Sequence, residues 1–271
     1  MPPFHFATSG IDTWLWLPPL AGLVLAFFCV MVGISGAFLL LPFQMTVLGF
    51  ASPAASATNL VYNLVSIPGA AWRYRQEGRL WWQLALLITA GGLPGTWLGA
   101  WLRSHWLAER ETFEIFVAAV LCCLGARMAQ EAMSRATAPA DIGEKTLPPP
   151  APLLAASFAV GVIGTIYGIG GGSLMVPILV ALFRLPLHAV AGATLTATLL
   201  TSLFALLAYQ FLPAPAGIQT APDWTLGALF GIGGLVGGNL GARCQRHVPQ
   251  RALQFLLAAV LLGLAWHYSG F

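Results

Sequence analysis

The feature that most constrains this chain is a series of long apolar runs with few charged residues between them. Several approach 20 residues, the length that an α-helix needs to cross the hydrocarbon core of a bilayer. Hydrophobic residues make up 58% of the 271 residues and charged residues 8%, whereas soluble domains average about 45–50% and about 25%. A soluble fold of this length could not bury so much apolar surface. We therefore predict an all-α integral membrane protein whose first apolar run is retained as a helix and not removed as a signal peptide.

The apolar runs fall into two similar sets on either side of a polar, proline-rich stretch at 134–152. Each set opens with two runs that are separated by glycines and continues with three longer runs. The runs lie at 14–32, 38–50, 54–72, 80–102 and 113–133 in the first set and at 153–167, 173–183, 189–212, 224–242 and 252–267 in the second. This pattern predicts two homologous halves, 1–133 and 153–271, joined by a cytoplasmic linker at 134–152.

The repeat is also visible in the letters of the sequence. GISGAFLLLP at 33–42 aligns with GIGGGSLMVP at 168–177, and ASAT at 55–58 aligns with AGAT at 191–194. GGLPGTWLGA at 91–100 and GGLVGGNLGA at 233–242 are identical at seven of ten positions. Small residues recur by chance in membrane helices, because they let helices pack closely. Three matches in the same order are a stronger sign of duplication.

The relative orientation of the halves depends on whether each glycine-broken segment crosses the membrane. If each crosses once, the halves are parallel, and the lysines and arginines divide six to six. If each is a helical hairpin that returns to its starting side, the halves are inverted. Ten cationic residues then share one side, and only Arg103 and Arg110 lie on the other. The positive-inside rule favours this inverted-topology repeat, with both termini in the periplasm of a bacterial inner membrane.

The glycine breaks are the predicted substrate site. In inverted-repeat transporters, broken helices near the midplane hold the substrate, and the N-terminus of a helix favours an anion. Clusters of neutral hydroxyl and amide side chains could add ligands without a buried charge. The alternatives are that the glycines only permit close packing and that the polar clusters only hydrogen-bond between or within helices. The candidate substrate-binding residues are Gly33, Ser35, Gly36, Thr58, Asn59, Asn63, Gly168, Gly170, Gly171, Gly172, Ser173, Thr194 and Thr198.

Other kinds of site find little support in the sequence. All nine acidic residues lie between the apolar runs or at their ends, so a carboxylate relay for protons or cations is not expected. The four cysteines form no CxxC pair, and we predict no metal and no cofactor. The absence of a basic tract argues against nucleic acid as a partner. The expected partners are a small anion and lipid, and a homo-oligomer is left open.

The motifs together resemble those of a known family. The glycine motif at 168–177 and its weaker copy at 33–42, the AGAT segment and the glycine motif at 91–100 and 233–242 are similar to those of the sulfite exporter TauE/SafE family. The resemblance covers nearly the whole chain. It implies a bacterial inner-membrane protein that transports sulfite, sulfonates or related organosulfur anions. Ala37 departs from the second glycine motif, so the first half matches less well.

Two other functions remain as alternatives. The G-x-S-G string at 33–36 is of the kind that holds the nucleophile of rhomboid-type intramembrane serine proteases, which also need a histidine to activate the serine. The available histidines, His188, His247 and His267, lie at the edges of apolar runs or in a loop. Gly170 stands where the second half would repeat Ser35, so the serine resembles a repeat variant. The other alternative is a structural membrane protein without transport. We predict a transporter and no enzymatic activity.

Overall fold

A computed structural model describes residues 3–31, 34–78, 80–133, 147–185, 187–244, 248 and 250–270. The described chain begins with an antiparallel hairpin, β1 Phe4–Phe6 and β2 Ile11–Thr13, and continues as helices. The helices are α1 Leu17–Met31, α2 Ala37–Thr46, α3 Pro53–Ser66, α4 Pro68–Gln76, α5 Trp82–His105, α6 Arg110–Met133, α7 Pro150–Tyr167, α8 Met175–Ala181, α9 Leu187–Phe211, α10 Trp224–Cys244 and α11 Gln250–Tyr268. Six of the described helices, α5, α6, α7, α9, α10 and α11, are long and apolar enough to cross a membrane. The prediction of a helical, multi-pass membrane protein is confirmed.

Both predicted glycine breaks separate two helices. The first lies between α1 and α2, and the second lies between α7 and α8. Gly168 ends α7 with φ 85°, and its N–H donates to Gly164 O at 2.9 Å. A left-handed residue of this kind closes a helix, and glycine adopts it without the steric cost of a Cβ.

Each broken helix pair is a hairpin. After α2 the chain returns to the start of α1, because residues 47–50 line a cleft together with Leu17 and residues 9–13. In the second pair, Leu179 of α8 belongs to the same apolar cluster as Leu153 at the start of α7. Each pair therefore begins and ends at the same end of the molecule.

Stripes of glycine bring four of the helices into close contact. The stripe on α10, Gly233, Gly237 and Gly241, faces the carbonyl oxygens of Pro19, Leu23 and Phe27 on α1. The stripe on α5, Gly91, Gly95 and Gly99, faces the carbonyl oxygens of Leu154, Phe158 and Val162 on α7. The order of these contacts shows that α10 runs parallel to α1 and that α5 runs parallel to α7. Close approach of backbones through small residues is a common way to pack helices in a membrane.

The remaining helix contacts follow the same pairing. Helix α10 also packs against α3, and α5 packs against α9. Helix α6 packs against α11, and α3 packs against α9. In the two halves, the α3–α4 segment corresponds to α9, α5 corresponds to α10, and α6 corresponds to α11. The contact between α10 and α3 then corresponds to the contact between α5 and α9. The contacts between α6 and α11 and between α3 and α9 each correspond to themselves.

Helices α3 and α9 cross in opposite directions. The hydroxyls of Ser56, at the start of α3, and Tyr209, at the end of α9, donate to adjacent carbonyls at the end of α7, at 2.8 Å and 3.0 Å. Seven residues further along α3, Asn63 Nδ2 donates to Ser202 Oγ at 3.2 Å, and Ser202 lies seven residues before Tyr209 on α9. The two helices are thus antiparallel where they touch.

Some features differ from the sequence predictions. The β1–β2 hairpin was not predicted, because three-residue strands carry too short a pattern to recognise. Helix α7 begins at Pro150, inside the predicted linker, since proline is well tolerated in the first turn of a helix. Residues 134–146, most of that linker, lie outside the described residues.

Candidate functional site

The second glycine break lies directly against α9. A Cβ placed on Gly172 would overlap the carbonyl oxygen of Thr194, and one placed on Gly170 would be 2.5 Å from Ser202 Oγ. Gly168 and Gly170 also have φ values of 85° and 75°. Side chains are therefore excluded by packing at Gly172 and by both packing and backbone conformation at Gly168 and Gly170. Close packing is therefore one reason for glycine at these positions, and it leaves open whether they also bind a substrate.

Polar groups of the break and α9 meet at this contact. Ser173 Oγ lies 3.4 Å from Thr198 Oγ1, and the N–H of Gly171 donates to Thr201 Oγ1 at 3.0 Å. The structure thus brings Gly170, Gly171, Gly172, Ser173, Thr194 and Thr198 together, whereas Gly168 packs against Ser56 of α3. Thr201 and Ser202, which were not among the candidates, belong to the same cluster. The hydroxyl side chains that recur from Thr194 to Ser202 are the sequence signal that points to them.

The hydroxyl hydrogens of this cluster are mostly committed to the backbone. Thr194, Thr198 and Thr201 each donate to the carbonyl four residues earlier, at 3.0, 2.8 and 2.7 Å. Ser173 Oγ donates to Ile169 O at 3.0 Å. Bonds of this kind within a helix are the ordinary behaviour of buried hydroxyls in apolar helices.

Free donors are found on the backbone of the break instead. The N–H groups of Gly172, Ser173 and Leu174 form no hydrogen bond with any described residue. They precede the first residue of α8, and Gly172 is buried. Unpaired N–H groups are usual at the start of a helix, but buried donors are nearly always paired, so the free N–H of Gly172 is the unusual one; Ser173 and Leu174 are partly exposed.

The first break is organised by α3. Gly36 packs against the Cα of Ala26 and the hydroxyl of Tyr62. Ser35 Oγ accepts a hydrogen bond from the N–H of Ala37 at 3.3 Å, and Asn59 Nδ2 donates to Ala37 O at 2.9 Å. Gly33, the remaining candidate in this break, lies outside the described residues.

The two breaks are neighbours in space. The hydroxyl of Tyr167, the last residue of α7, donates to Phe38 O in the first turn of α2 at 2.7 Å. Asn59 and Asn63 lie one helical turn apart on α3; Asn59 bonds to the first break, and Asn63 bonds to Ser202 beside the second. The Oδ1 atoms of both amides are buried and have no hydrogen-bond partner among the described residues.

Thr58 lies apart from both breaks. Its hydroxyl accepts a hydrogen bond from the N–H of Asp223 at 2.9 Å, at the start of α10. Asp223 in turn caps α10 by accepting from the N–H of Leu226 at 3.0 Å, and it accepts from the hydroxyl of Ser9 at 2.9 Å. Thr58 therefore contributes to a joint between α3, α10 and the N-terminal segment in this structure.

Arg103 is a buried charge that the sequence analysis did not recognise as buried. It was counted with Arg110 on the outer side, beyond the run at 80–102, whereas its side chain is 0% exposed in the last turn of α5. It donates through Nε to Ser56 Oγ at 3.2 Å, through Nη2 to Ala51 O at 2.6 Å, and through Nη1 to Leu107 O. Its position could have been foreseen, because residue 103 continues the four-residue spacing of the glycine stripe on α5.

The protease alternative needs a histidine at Ser35. Among the described side chains, Ser35 Oγ bonds to the backbone of Ala37, and the ring of His267 packs beside Tyr268 at 5.4 Å between centroids. The side chain of His188 and the whole of His247 lie outside the described residues.

A cleft of about 350 Å³ lies away from the breaks. It is lined by residues 9–13, Leu17 and residues 47–50, at the end of the molecule where the β1–β2 hairpin packs. Gly168, Gly170, Gly171 and Gly172 are buried in this conformation, whereas Ser173 and Leu174 are partly exposed.

The fold and the paired breaks define a multi-pass helical membrane protein built around two broken hairpins. The family model described as sulfite exporter TauE/SafE matches residues 19–268, so the chain belongs to that family, and the resemblance seen in the sequence is confirmed.

Curated relatives carry the same class of function. Probable membrane transporter proteins of Xylella fastidiosa are 26% identical (strain 9a5c) and 25% identical (strain Temecula1 / ATCC 700964) over 261 residues, or 91% of this chain and 93% of each relative. The probable membrane transporter protein YunE of Bacillus subtilis (strain 168) is 28% identical over 109 residues, 40% of this chain and 37% of that protein. No solved structure matches the chain. Family and relatives identify the chain as a membrane transporter.

Proposed function

We propose that the protein is a secondary transporter that moves a small anion, most readily sulfite or an organosulfonate, across the bacterial inner membrane. The observation that carries this proposal is the group of three unpaired N–H donors at Gly172, Ser173 and Leu174, which lie against α9. Backbone N–H groups at the start of a helix are suited to an oxyanion, and a charge-assisted hydrogen bond contributes about 1.5–3 kcal/mol. The family name supports sulfite as the first substrate to test.

We also propose that the halves form an inverted repeat. The antiparallel crossing of α3 and α9, which are equivalent elements of the two halves, supports this arrangement. The return of each broken hairpin to its starting end supports it as well. With Arg103 buried in the protein, only Arg110 of the original two remains on the outer side, so the cationic bias becomes ten to one. Both termini would then lie in the periplasm.

Transport through this site needs a change of conformation. Because Gly172 is buried against α9, an anion can reach its N–H group only when the α7–α8 hairpin and α9 separate. Inverted-repeat transporters achieve alternating access by moving one group of helices against another around a fixed site. The first break, α2 and Asn59 would play the corresponding part from the other side.

Thermal stabilisation of the purified protein tests the binding step. We expect sulfite or an alkylsulfonate in large excess over its Kd to add about 3–4 kcal/mol to the free energy of unfolding. An organic amine of similar size is the control, and it should leave the melting temperature unchanged. Stabilisation by the amine, or by none of the anions, would contradict the assignment of an anion site.

A further inference from the structure

The guanidinium of Arg103 is a buried positive charge that the proposed function does not yet use. Its side chain is 0% exposed, in a helix long and apolar enough to span the membrane. Burying a charge is costly unless it is paired, and ionisable residues inside membrane segments usually serve a function. A reason for keeping an arginine here is therefore needed.

The partners of Arg103 are all electrically neutral. They are the hydroxyl of Ser56, the backbone carbonyls of Ala51 and Leu107, and the ring of Phe113, whose centroid lies 3.5 Å from Cζ. No carboxylate among the described residues forms an ion pair with it. These contacts engage three of its five N–H groups and leave its net charge in place.

The charge lies close to the second glycine break. Ser56 Oγ, which accepts from Arg103, donates to the carbonyl of Ile166 at 2.8 Å, near the end of α7. The backbone of Ser56 also packs against Gly168, where a Cβ would overlap the Ser56 carbonyl oxygen. One side chain thus separates the guanidinium from the first residue of the break.

The nearby end of α7 offsets only part of this charge. The C-terminus of a helix carries about half a negative elementary charge, spread over its last carbonyls. Two of those carbonyls already accept hydrogen bonds from Ser56 and Tyr209. A positive potential therefore extends into the break, where the unpaired N–H groups of Gly172, Ser173 and Leu174 lie.

We propose that Arg103 is a positioning residue that draws the anion to the second break and selects it over neutral molecules of the same shape. It acts through its electrostatic potential and does not contact the substrate. This inference rests on the proposed anion transport. The N–H groups pack beside Thr194 and Thr198, several turns of α9 away from Tyr209, which lies at the level of Arg103. A unit charge about 15 Å from an anion, at an effective permittivity of about 20, changes the affinity by about fivefold.

Two pairs of variants separate charge from structure. Arg103→Lys and Arg103→Gln both lose the forked hydrogen bonds, but only the lysine keeps the charge. Ser56→Asp and Ser56→Asn have nearly the same shape, but only the aspartate places a neutralising carboxylate beside Arg103. The measurement is the Kd for sulfite of monodisperse purified protein, together with its melting temperature.

We expect Arg103→Gln to bind sulfite about fivefold more weakly than Arg103→Lys, and Ser56→Asp to bind about fivefold more weakly than Ser56→Asn. The test requires only one of the two pairs to be recovered as folded protein. Equal affinities within each pair, whatever the melting temperatures, would overturn the role of Arg103 while leaving anion binding intact. Failure of the unsubstituted protein to bind sulfite or an alkylsulfonate would instead overturn the proposed function and this inference with it.

Discussion

Gly95 and Gly237 occupy equivalent positions in the two halves, and each holds its helix against a backbone carbonyl of a neighbour. A Cβ on Gly95 would overlap Phe158 O, and one on Gly237 would overlap Leu23 O. Both contacts involve the backbone of another helix, which cannot move aside as a flexible side chain could.

Alanine at either position should therefore destabilise the protein. We expect Gly95→Ala and Gly237→Ala to lower the free energy of unfolding by about 1–3 kcal/mol, the usual cost of overpacking. Gly263→Ala is the matched control, since its Cβ would have no neighbour within 4 Å on α11. It should be neutral or stabilising by up to about 1 kcal/mol, because alanine is the better helix former. Melting temperatures in one detergent would check the order, and equal values for all three variants would contradict it.

The glycines of the second break differ among themselves. A Cβ on Gly171 would lie 3.2 Å from the Cα of Gly161, a contact that a small shift could relieve, whereas one on Gly172 would overlap α9. We expect Gly171→Ala to be recovered as folded protein, and Gly172→Ala to give a strongly reduced yield. Fluorescence-detected size exclusion of both variants would measure this. Similar recovery of the two would mean that the break packs less tightly than the structure indicates.

The sequence predicted that these glycines form the substrate site, but it could not show which of them are needed for packing and which for binding. That division depends on which groups of α9 lie opposite each glycine, and α9 is distant in sequence. Arg103 is a second example of this limit. It directly follows the run at 80–102 and was counted only as an outer-side charge, yet it continues the stripe of Gly91, Gly95 and Gly99, which faces α7.

At the scale of the elements, the start of α10 is fixed by Asp223 and Thr58. Asp223 is 3% exposed and accepts from both the N–H of Leu226 and the hydroxyl of Ser9. A carboxylate that is held by a helix N-terminus and a hydroxyl has a structural role here, and it lies at the end of the helix and not at the breaks.

Substitutions of Asp223 should affect stability more than transport. We expect Asp223→Ala to lower the free energy of unfolding by about 0.5–2 kcal/mol, the cost of losing a helix cap. Asp223→Asn keeps a capping side chain and should leave sulfite flux within a few-fold of the unsubstituted protein. Complete loss of flux in Asp223→Asn, with its melting temperature unchanged, would show that a coupling carboxylate had been overlooked.

The elements themselves were largely predictable from apolar runs and glycine. Both broken pairs and the long helices after them correspond to predicted runs, because their length and composition are set by the bilayer. The division of α3 from α4 follows from Pro68, which has no N–H to continue the helix. The β1–β2 hairpin escaped prediction, since it depends on packing at the end of the bundle and not on a local pattern.

At the scale of the whole molecule, the proposed inverted repeat fixes the side of every loop. We expect reporters at 214–220 and after Phe271 to score as periplasmic, and reporters at 76–78 and 136–145 to score as cytoplasmic. A paired enzyme reporter, one active on each side of the membrane, provides its own control. If the reporters at 214–220 and 76–78 score on the same side, the inverted arrangement is wrong.

The pairing of helices across the halves could not be read from the sequence. The duplicated motifs at 91–100 and 233–242 predicted close packing, but not that each motif packs on the opening helix of the other half. This exchange is a property of the assembled bundle, because each half needs the glycine stripe of the other to bury its broken hairpin.

Flux into proteoliposomes tests the central claim most directly. We expect purified protein in liposomes to carry radiolabelled sulfite or an alkylsulfonate down its gradient, with competition by the unlabelled anion and no uptake of an amine of similar size. Protein-free liposomes give the background. If the protein binds neither anion and moves neither above that background, while its melting temperature shows that it is folded, the proposed anion transport is wrong.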